Sequence, residues 1–202
     1  MSRSDTSDFS QITAGNIVAF LGDIFERRGA DSYLGEEVTM SEHMLQSAML
    51  AEAAGAGDDL IAAALLHDIG HYTNEFPEDA LEIGVNNRHE EAGAAVIAPF
   101  FPDSVTSCVR WHVAAKRYLC ATDPTYFDRL SAASVHTLNL QGGPMSDDEV
   151  AAFRNNPHLD AIIQVRIWDE GGKVPGRTTP PFSHYAPILQ RVVESHGITR
   201  RA

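Results

Sequence analysis

The stretch of sequence that decides the fold covers residues 60–71 and reads Leu-Ile-Ala-Ala-Ala-Leu-Leu-His-Asp-Ile-Gly-His. Its first seven residues are all apolar, and this predicts a helix that lies buried at the centre of the molecule. His67 and Asp68 come at the end of that helix, where Gly70 lets the backbone turn away. Burying an imidazole and a carboxylate costs free energy unless a divalent cation or a tight hydrogen-bond network compensates them.

Helical patterns continue on both sides of this segment. Apolar residues at spacings of three and four predict a first helix from Ile17, which Gly29 ends. After a loop over about 30–40, Ser41 is the expected N-cap of a second helix through Ala54, and Asp58 that of the central one. Further helices are predicted over about 88–99, 104–118, 126–139, 146–155, 157–168 and 184–196, with an irregular loop over about 170–182.

Two predicted helices begin with recognisable capping motifs, and the sequence lacks the alternating pattern of β-strands. Ser146 and Glu149 have the spacing of a capping box, and Asn156 followed by Pro157 reads as an N-cap with proline in the first turn. No stretch alternates with a period of two. The sequence therefore predicts an all-α fold, with residues 1–202 forming a single domain.

Charge and composition exclude several classes of function. The 28 acidic and 15 basic side chains give a net charge of −13, which repels phosphate backbones and anionic lipid. We therefore expect no nucleic-acid partner, and an anionic ligand would need a local cationic pocket. Cys108 and Cys120 have no CxxC spacing, and the polar start resembles no signal peptide. We expect a cytoplasmic protein without a membrane anchor, and the oligomeric state stays open.

Residues that can bind metal recur at separate predicted helices. His43 lies 24 residues before His67, His89 lies 22 after it, His112 a further 23 and Asp169 a further 57. The remaining four histidines are not accompanied by other candidate ligands, and we interpret them as structural or exposed: His136, His158, His184 and His196.

His43, the His67-Asp68 doublet and Asp169 resemble the H…HD…D signature of the HD-domain superfamily, an all-helical fold that binds metal. A His-Asp doublet alone is common by chance, but the run from Leu65 to His71 is more specific. The resemblance implies a two-metal site in which Asp68 bridges the ions. The ligands would be His43, His67 and Asp169 on one ion and His89 and His112 on the other. Ligands without thiolate favour iron or manganese over structural zinc. Alternatively, His89 and His112 are ordinary hydrogen-bonded or capping histidines.

Over nearly its whole length, the chain is similar to the HD-domain mixed-valent di-iron oxygenases that cleave the carbon–phosphorus bond of 1-hydroxyphosphonates. This resemblance implies two iron ions, Fe(II) and Fe(III), and an oxidoreductase that acts on a small organophosphonate and dioxygen. Tyr33 and Glu36 match the lid pair that shields an iron position in this family, and with Lys116 they are the expected catalytic residues. The phosphonate cradle of the family matches His71, Lys116, Ser134, Thr137 and Arg166.

Helical spacing places the cradle residues beside the metal ligands. Lys116 lies four residues after His112, and Arg166 three before Asp169, so each pair shares a helical face. Lysine and arginine are the usual side chains for binding phosphate-like oxygens. Alternatively, Lys116 is a surface residue and Arg166 pairs with Asp169 or Glu170.

The resemblance leaves two substrates open, which differ at the end remote from the phosphonate. A trimethylammonium group would give glycine betaine, and the resemblance favours it; a primary amine, as in 2-amino-1-hydroxyethylphosphonate, would give glycine. Acidic residues with Tyr33 could favour either ammonium group. The acidic candidates are Glu36, Glu37 and Glu42, and the candidates for an aromatic cage are Tyr72, Tyr118, Trp111 and Phe182.

Two other classes of function use the same residues. A metal-dependent HD phosphohydrolase would need the same ligands but no dioxygen. A noncatalytic HD-domain binding module would not need all six ligands.

Overall fold

The computed structural model describes residues 11–33, 35–73 and 88–199. Within these ranges the chain is all-α, as predicted. The helices are α1 (Ile17–Arg28), α2 (Met40–Ala53), α3 (Asp58–Leu66), α4 (Gly70–Thr73), α5 (His89–Ile97), α6 (Asp103–Thr122), α7 (Ala132–Leu140), α8 (Asp147–Phe153), α9 (Leu159–Gly171) and α10 (Phe182–Thr199).

Helix α3 lies at the centre, as its apolar sequence predicted. Every residue from Ile61 to Leu66 is buried, and α2, α6, α9 and α10 pack around the helix. A helix that is apolar on all sides needs neighbours on all sides. The neighbours consequently surround the C-terminal end of α3, where His67 and Asp68 lie.

Three predicted N-caps were wrong. His158 occupies the N-cap position of α9, so Asn156 and Pro157 precede the helix, and the Asn156 side chain accepts a hydrogen bond from the His158 amide at 2.9 Å. Thr39, not Ser41, caps α2: its hydroxyl accepts a hydrogen bond from the Glu42 amide, and the Glu42 carboxylate accepts one from the Thr39 amide. Ser41 already lies inside the first turn. Gly57 occupies the N-cap position of α3, and Asp58 is the first helical residue, where its negative charge favours the positive end of the helix dipole.

Three other helices differ at their ends. The predicted helix over 126–139 divides into a 3₁₀ turn, Phe127–Arg129, and α7, because Ser131 caps α7 in an extended conformation. The capping box of Ser146 and Glu149 at α8 is confirmed. Helix α9 begins at Leu159 and continues to Gly171, so Glu170 belongs to its last turn rather than to a loop. Helix α10 extends beyond the predicted 184–196 at both ends.

The segment between α1 and α2 folds back on itself. Ser32 and Thr39 form an isolated antiparallel bridge, and the Met40 amide donates to the Asp31 carbonyl at 2.9 Å. Gly35 has a φ of +81°, a conformation that favours glycine. This loop brings Tyr33 over the C-terminal end of α3.

Helices α4 and α5 touch through their backbones. A Cβ atom built on Gly70 would lie 1.8 Å from the carbonyl oxygen of His89 and 2.7 Å from the amide of Gly93. Only glycine permits this approach, which fixes His89 beside the end of α3. Among the helices of the described ranges, none is long and apolar enough to cross a bilayer.

Candidate metal centre and cationic cavity

The six predicted metal ligands converge at the C-terminal end of α3. They come from α2, α3 and the turn after it, α5, α6 and α9, and none is more than 4 % exposed. The two oxygens of Asp68 face two histidine pairs. Oδ2 lies 3.4 Å from Nε2 of both His43 and His67, and Oδ1 lies 3.2 Å from Nε2 of both His89 and His112.

The first histidine pair is arranged for a cation. Nδ1 of His43 donates to the carbonyl of Gly172 at 3.0 Å, and Nδ1 of His67 donates to that of Ala64 at 2.8 Å. A carbonyl only accepts, so each neutral ring carries its proton on Nδ1 and a lone pair on Nε2. The two Nε2 atoms lie 2.9 Å apart. Two lone pairs at this distance need a proton or a metal ion between them.

The second pair has the same character. Nε2 of His89 and Nε2 of His112 lie 3.1 Å apart, and Nδ1 of His112 donates to the Val109 carbonyl at 2.7 Å. His71 stacks on His89 with ring centroids 4.0 Å apart, but its Nε2 is 3.9 Å from Oδ1 of Asp68. His71 therefore flanks this pair, and His112 lies closer to the shared carboxylate.

Buried oxygen atoms complete the case for a metal. Oδ2 of Asp68 and Oδ1 of Asp169 are buried and have no hydrogen-bond partner among the described residues. Ligand atoms of His43, His67 and Asp169 all lie within 4.8 Å of one another, as do those of Asp68, His71 and His89. Such groups fit divalent first-row metals, because the donors are imidazole and carboxylate.

The electrostatics of the cluster also favour a cation. Burial opposes charge on His67, yet the carboxylates of Asp68 and Asp169 raise its pKa to about 9. Burial likewise opposes ionisation of Asp68, but the charge of His67 and the polar contacts of the surrounding histidines hold its pKa well below the usual value. The centre therefore keeps its negative charge and attracts a positive one.

A cavity opens beside the cluster, with about 330 Å³ of space that is partly open to solvent. Its wall holds the candidate ligands together with the candidate cradle residues. Lys116 is 3 % exposed, and its Nζ donates to Oγ1 of Thr137 at 2.7 Å. Burial, with the nearby charge of Arg166, lowers the pKa of Lys116 to about 7. The full lining is Tyr33, Asp68, His71, His89, His112, Val113, Lys116, Ser134, Thr137, Gln141, Arg166 and Asp169.

Arg166 makes both ion pairs that the alternative interpretation of the sequence named. Its guanidinium pairs with the carboxylates of Asp169 and Glu170, and its Nε donates to the hydroxyl of Tyr126 at 2.7 Å. The side chain lines the cavity while its nitrogens are engaged. In this structure it holds the carboxylate of Asp169 in place.

Of the predicted lid pair, Tyr33 lies over the cluster, and Glu36 lies beside the start of α7. Tyr33 stacks on His43, with ring centroids 4.0 Å apart and planes at 15°. Burial and the charges of Asp68 and Asp169 raise the pKa of Tyr33, so the phenol stays protonated. The carboxylate of Glu36 accepts from Oγ of Ser131 at 2.5 Å, which ties the loop to the start of α7.

Several candidates for binding the far end of the substrate lie elsewhere. Glu42 is used in the capping box of α2, and Glu37 is exposed. None of the proposed cage residues lines the cavity, because each packs in another contact: Tyr118 and Trp111 against Phe153, Phe182 against Phe25, and Tyr72 under Arg28.

Three polar residues in or beside the site were not predicted from the sequence. Tyr126 holds Arg166, and Gln141 lines the cavity with a buried Oε1 that has no partner among the described residues. Lys173 contacts Ser134, Glu170 and Glu36. Its position three residues after Glu170 was a signal, but the two glycines between them predict a loop, in which the direction of a side chain cannot be read.

Comparisons with known proteins identify the family of the chain. The family model described as HD domain matches residues 40–140. The chain is 56% identical over 189 residues to [1-hydroxy-2-(trimethylamino)ethyl]phosphonate dioxygenase (glycine-betaine-forming) of Leisingera caerulea, covering 94% of this chain and 96% of the relative. It is 40% identical over 183 residues to hydroxymethylphosphonate dioxygenase of Gimesia maris, covering 90% of each. An uncharacterized protein of Acanthamoeba polyphaga mimivirus is 34% identical over 169 residues, 82% of this chain and 77% of that protein.

Proposed function

The chain belongs to the HD-domain family and, within it, to the phosphonate dioxygenases, and from this premise we propose that it oxidatively cleaves 1-hydroxy-2-(trimethylammonio)ethylphosphonate. The products are inorganic phosphate and glycine betaine. One observation carries the choice of substrate, namely 56% identity over 94% of the chain to the glycine-betaine-forming relative. The hydroxyl-bearing carbon gives up four electrons on becoming a carboxylate, and dioxygen accepts four, so the reaction needs no outside reductant.

We propose that two iron ions, one ferrous and one ferric, bind at the histidine cluster. His43, His67 and Asp169 would hold one, His89 and His112 the other, and Asp68 both. The support is the geometry of Asp68, whose oxygens each face one histidine pair at 3.2–3.4 Å. When bound, the iron pair supplies the redox chemistry with dioxygen, which amino-acid side chains cannot supply.

The side chains around the cavity bind the phosphonate. Lys116 supplies a buried positive charge, and the hydroxyls of Ser134 and Thr137 and the imidazole of His71 supply hydrogen bonds around it. Arg166 keeps Asp169 oriented and adds positive charge to the wall. These groups provide the local cationic pocket that a chain of net charge −13 needs for a dianionic ligand.

Tyr33 and Glu36 act at the other side of the substrate. Tyr33 lies over His43 and excludes water from the metal centre. The Tyr33 ring and the Glu36 carboxylate together attract a quaternary ammonium group, through the face of the ring and through charge. This arrangement favours the trimethylammonio substrate over hydroxymethylphosphonate, which carries no cation.

The test compares iron-loaded protein with and without dioxygen on three phosphonates: the trimethylammonio compound, 2-amino-1-hydroxyethylphosphonate and hydroxymethylphosphonate. We expect release of phosphate and glycine betaine from the first only when dioxygen is present, with the highest kcat/KM of the three. A preference for the primary amine would identify that compound as the substrate and glycine as the product. Phosphate release without dioxygen from a phosphate monoester would instead identify a phosphohydrolase.

A further inference from the structure

A second cavity, with about 190 Å³ of space that is partly open to solvent, adjoins the first on the side of the lid loop. It is lined by Tyr33, Glu36, Ala133, Ser134, Thr137 and Lys173. Tyr33, Ser134 and Thr137 line both cavities, so a ligand whose phosphonate lies near Lys116 extends its far end into this second space. The side chains that face this end include one carboxylate, one aromatic ring and one lysine.

Lys173 already occupies the position where a substrate cation would lie. Its Nζ is 3.6 Å from Oε1 of Glu36 and 6.0 Å from the ring centroid of Tyr33. A carboxylate and an aromatic face are the two groups that attract an ammonium ion. The side chain of Lys173 is only 8 % exposed, so the ion pair is well shielded from water.

We propose that Lys173 determines selectivity for substrate charge, because its ammonium occupies the cation site formed by Glu36 and Tyr33 and a cationic substrate must replace it there. This inference rests on the proposed function. A substrate without a cation leaves the pair of Lys173 and Glu36 intact. To pair with Glu36, a trimethylammonium group has to displace Lys173 from its ion pair. This exchange weakens the binding of the cationic substrate.

The surroundings of Lys173 make the exchange feasible. Nζ also donates to Oγ of Ser134 at 2.7 Å and to Oε2 of Glu170 at 3.1 Å. When Glu36 turns to the substrate, Lys173 keeps these two partners and does not become an unpaired buried charge. The competition is therefore mild, because only one of the three contacts of Lys173 is exchanged, which corresponds to a factor of about 3 to 10 in binding.

The experiment measures binding by calorimetry on iron-loaded protein without dioxygen, so that no turnover occurs. The probes are 1-hydroxy-2-(trimethylammonio)ethylphosphonate and hydroxymethylphosphonate. In Lys173→Met we expect the ratio of the two Kd values to shift about 3- to 10-fold in favour of the cationic compound. Any effect of the lost charge on the common phosphonate group cancels in the ratio.

Two further variants sharpen the result. Arg177→Met removes one positive charge from the same loop at an exposed position outside both cavities, and it should leave the ratio unchanged. Lys173→Arg retains the charge and should keep the wild-type ratio. An unchanged ratio in Lys173→Met, or a shift toward hydroxymethylphosphonate, overturns the proposal.

Titration with tetramethylammonium chloride alone separates this inference from the proposed function. If neither phosphonate binds, the proposed function fails, but the cation site can still be tested. We expect Lys173→Met to bind tetramethylammonium more tightly than the wild type, and Lys173→Met combined with Glu36→Gln to lose that gain. Equal affinity of wild type and Lys173→Met would contradict the inference whatever the phosphonates do.

Discussion

Asp68 is the residue on which the proposed metal centre depends. Its two oxygens point in different directions, each toward the lone pairs of one histidine pair, and Oδ2 has no hydrogen-bond partner in the described part of the chain. A carboxylate in that position can serve two ions at once. A buried carboxylate with an unpartnered oxygen would otherwise be costly, so the geometry is consistent with selection for metal binding rather than for stability.

Replacing Asp68 by alanine should therefore remove both ions. We expect Asp68→Ala, purified and loaded with iron like the wild type, to hold less than one iron per chain by elemental analysis. Asp160→Ala is the matched control, since Asp160 is exposed in the first turn of α9, and it should hold as much iron as the wild type. Two irons per chain in Asp68→Ala would show that Asp68 is not shared.

Lys116 illustrates the cost of a functional residue. Burial lowers its pKa to about 7, so holding it charged at neutral pH destabilises the fold. We expect Lys116→Met to raise the free energy of unfolding by about 1 kcal/mol or more, a gain of roughly 2–4 °C in Tm. The same variant should weaken phosphonate binding at least about tenfold, because a charge-assisted contact is lost.

Thermal unfolding and calorimetric binding on one preparation check both parts. Lys116→Arg retains a charge and should recover part of the affinity without the gain in Tm. A Lys116→Met protein that is less stable, or that binds phosphonate as well as the wild type, would contradict this account.

Single residues differed in how far the sequence could predict them. The His67-Asp68 doublet stands out because it ends an apolar helix, whereas the full set of six candidate ligands came from the resemblance to the HD signature. Arg166 was placed near Asp169 by helical spacing, but spacing alone does not tell whether its nitrogens face a ligand or the two carboxylates. Lys173 follows two glycines, and its direction depends on tertiary contacts with α7 and the lid loop.

At the scale of helices, periodicity predicted the elements well and their ends less well. The capping box that begins α2 was in the sequence, since Thr39 precedes Glu42 by three residues, whereas Ser41 precedes Met44, which cannot return a hydrogen bond to the N-cap amide. The end of α9 depends on packing: the carbonyl of Gly172 is needed by His43, and the backbone there lies against α2. Such a requirement comes from a distant residue and has no local signal.

The contact between helices α4 and α5 fixes the position of His89. Because a Cβ atom on Gly70 would lie 1.8 Å from the carbonyl oxygen of His89, Gly70→Ala must push the two helices apart. We expect a loss of about 2 kcal/mol or more in the free energy of unfolding, and a lower iron content than in the wild type. Urea unfolding and elemental analysis measure these effects.

Gly197→Ala is the matched control for this change. Gly197 lies in α10, where an added Cβ meets nothing within 4 Å. Alanine is the better helix former, so this variant should gain up to about 1 kcal/mol. Equal stability of Gly70→Ala and the wild type would show that the crossing adjusts without cost and does not fix His89.

At the scale of the whole molecule, three buried cations stand beside buried carboxylates inside a chain whose overall charge is acidic. The chain carries a net charge of −13, yet Lys116, Arg166 and Lys173 gather at the two cavities, each more than nine-tenths buried as a side chain or as a residue. The acidic majority repels polyanions, while the buried cations attract a small dianion that fits between the helices. The proposed function therefore depends on cations that the fold holds inside, beside the carboxylates of the candidate metal centre.

The same interior links stability to pH when metal is removed. In chelated protein a proton on His67 balances Asp68 and Asp169, which raise the pKa of His67 from its ordinary 6.5 to about 9 although burial opposes this. Since the folded state binds this proton more tightly than the unfolded state, the stabilisation is complete below about pH 6.5 and is lost as the pH rises through about 9. Lys116 has the opposite slope, because its pKa is lowered in the folded state.

Lys116→Met removes that opposing contribution and is the background for the test. We expect chelated Lys116→Met to lose about 1–3 kcal/mol of unfolding free energy between about pH 6.5 and about pH 9.5 in urea titrations. The iron-loaded variant should lose much less over this range, since metal-binding histidines are neutral and bound metal favours the folded state. A flat profile for the chelated variant, or the same decline with iron bound, would show that no proton takes the place of a cation between His43 and His67.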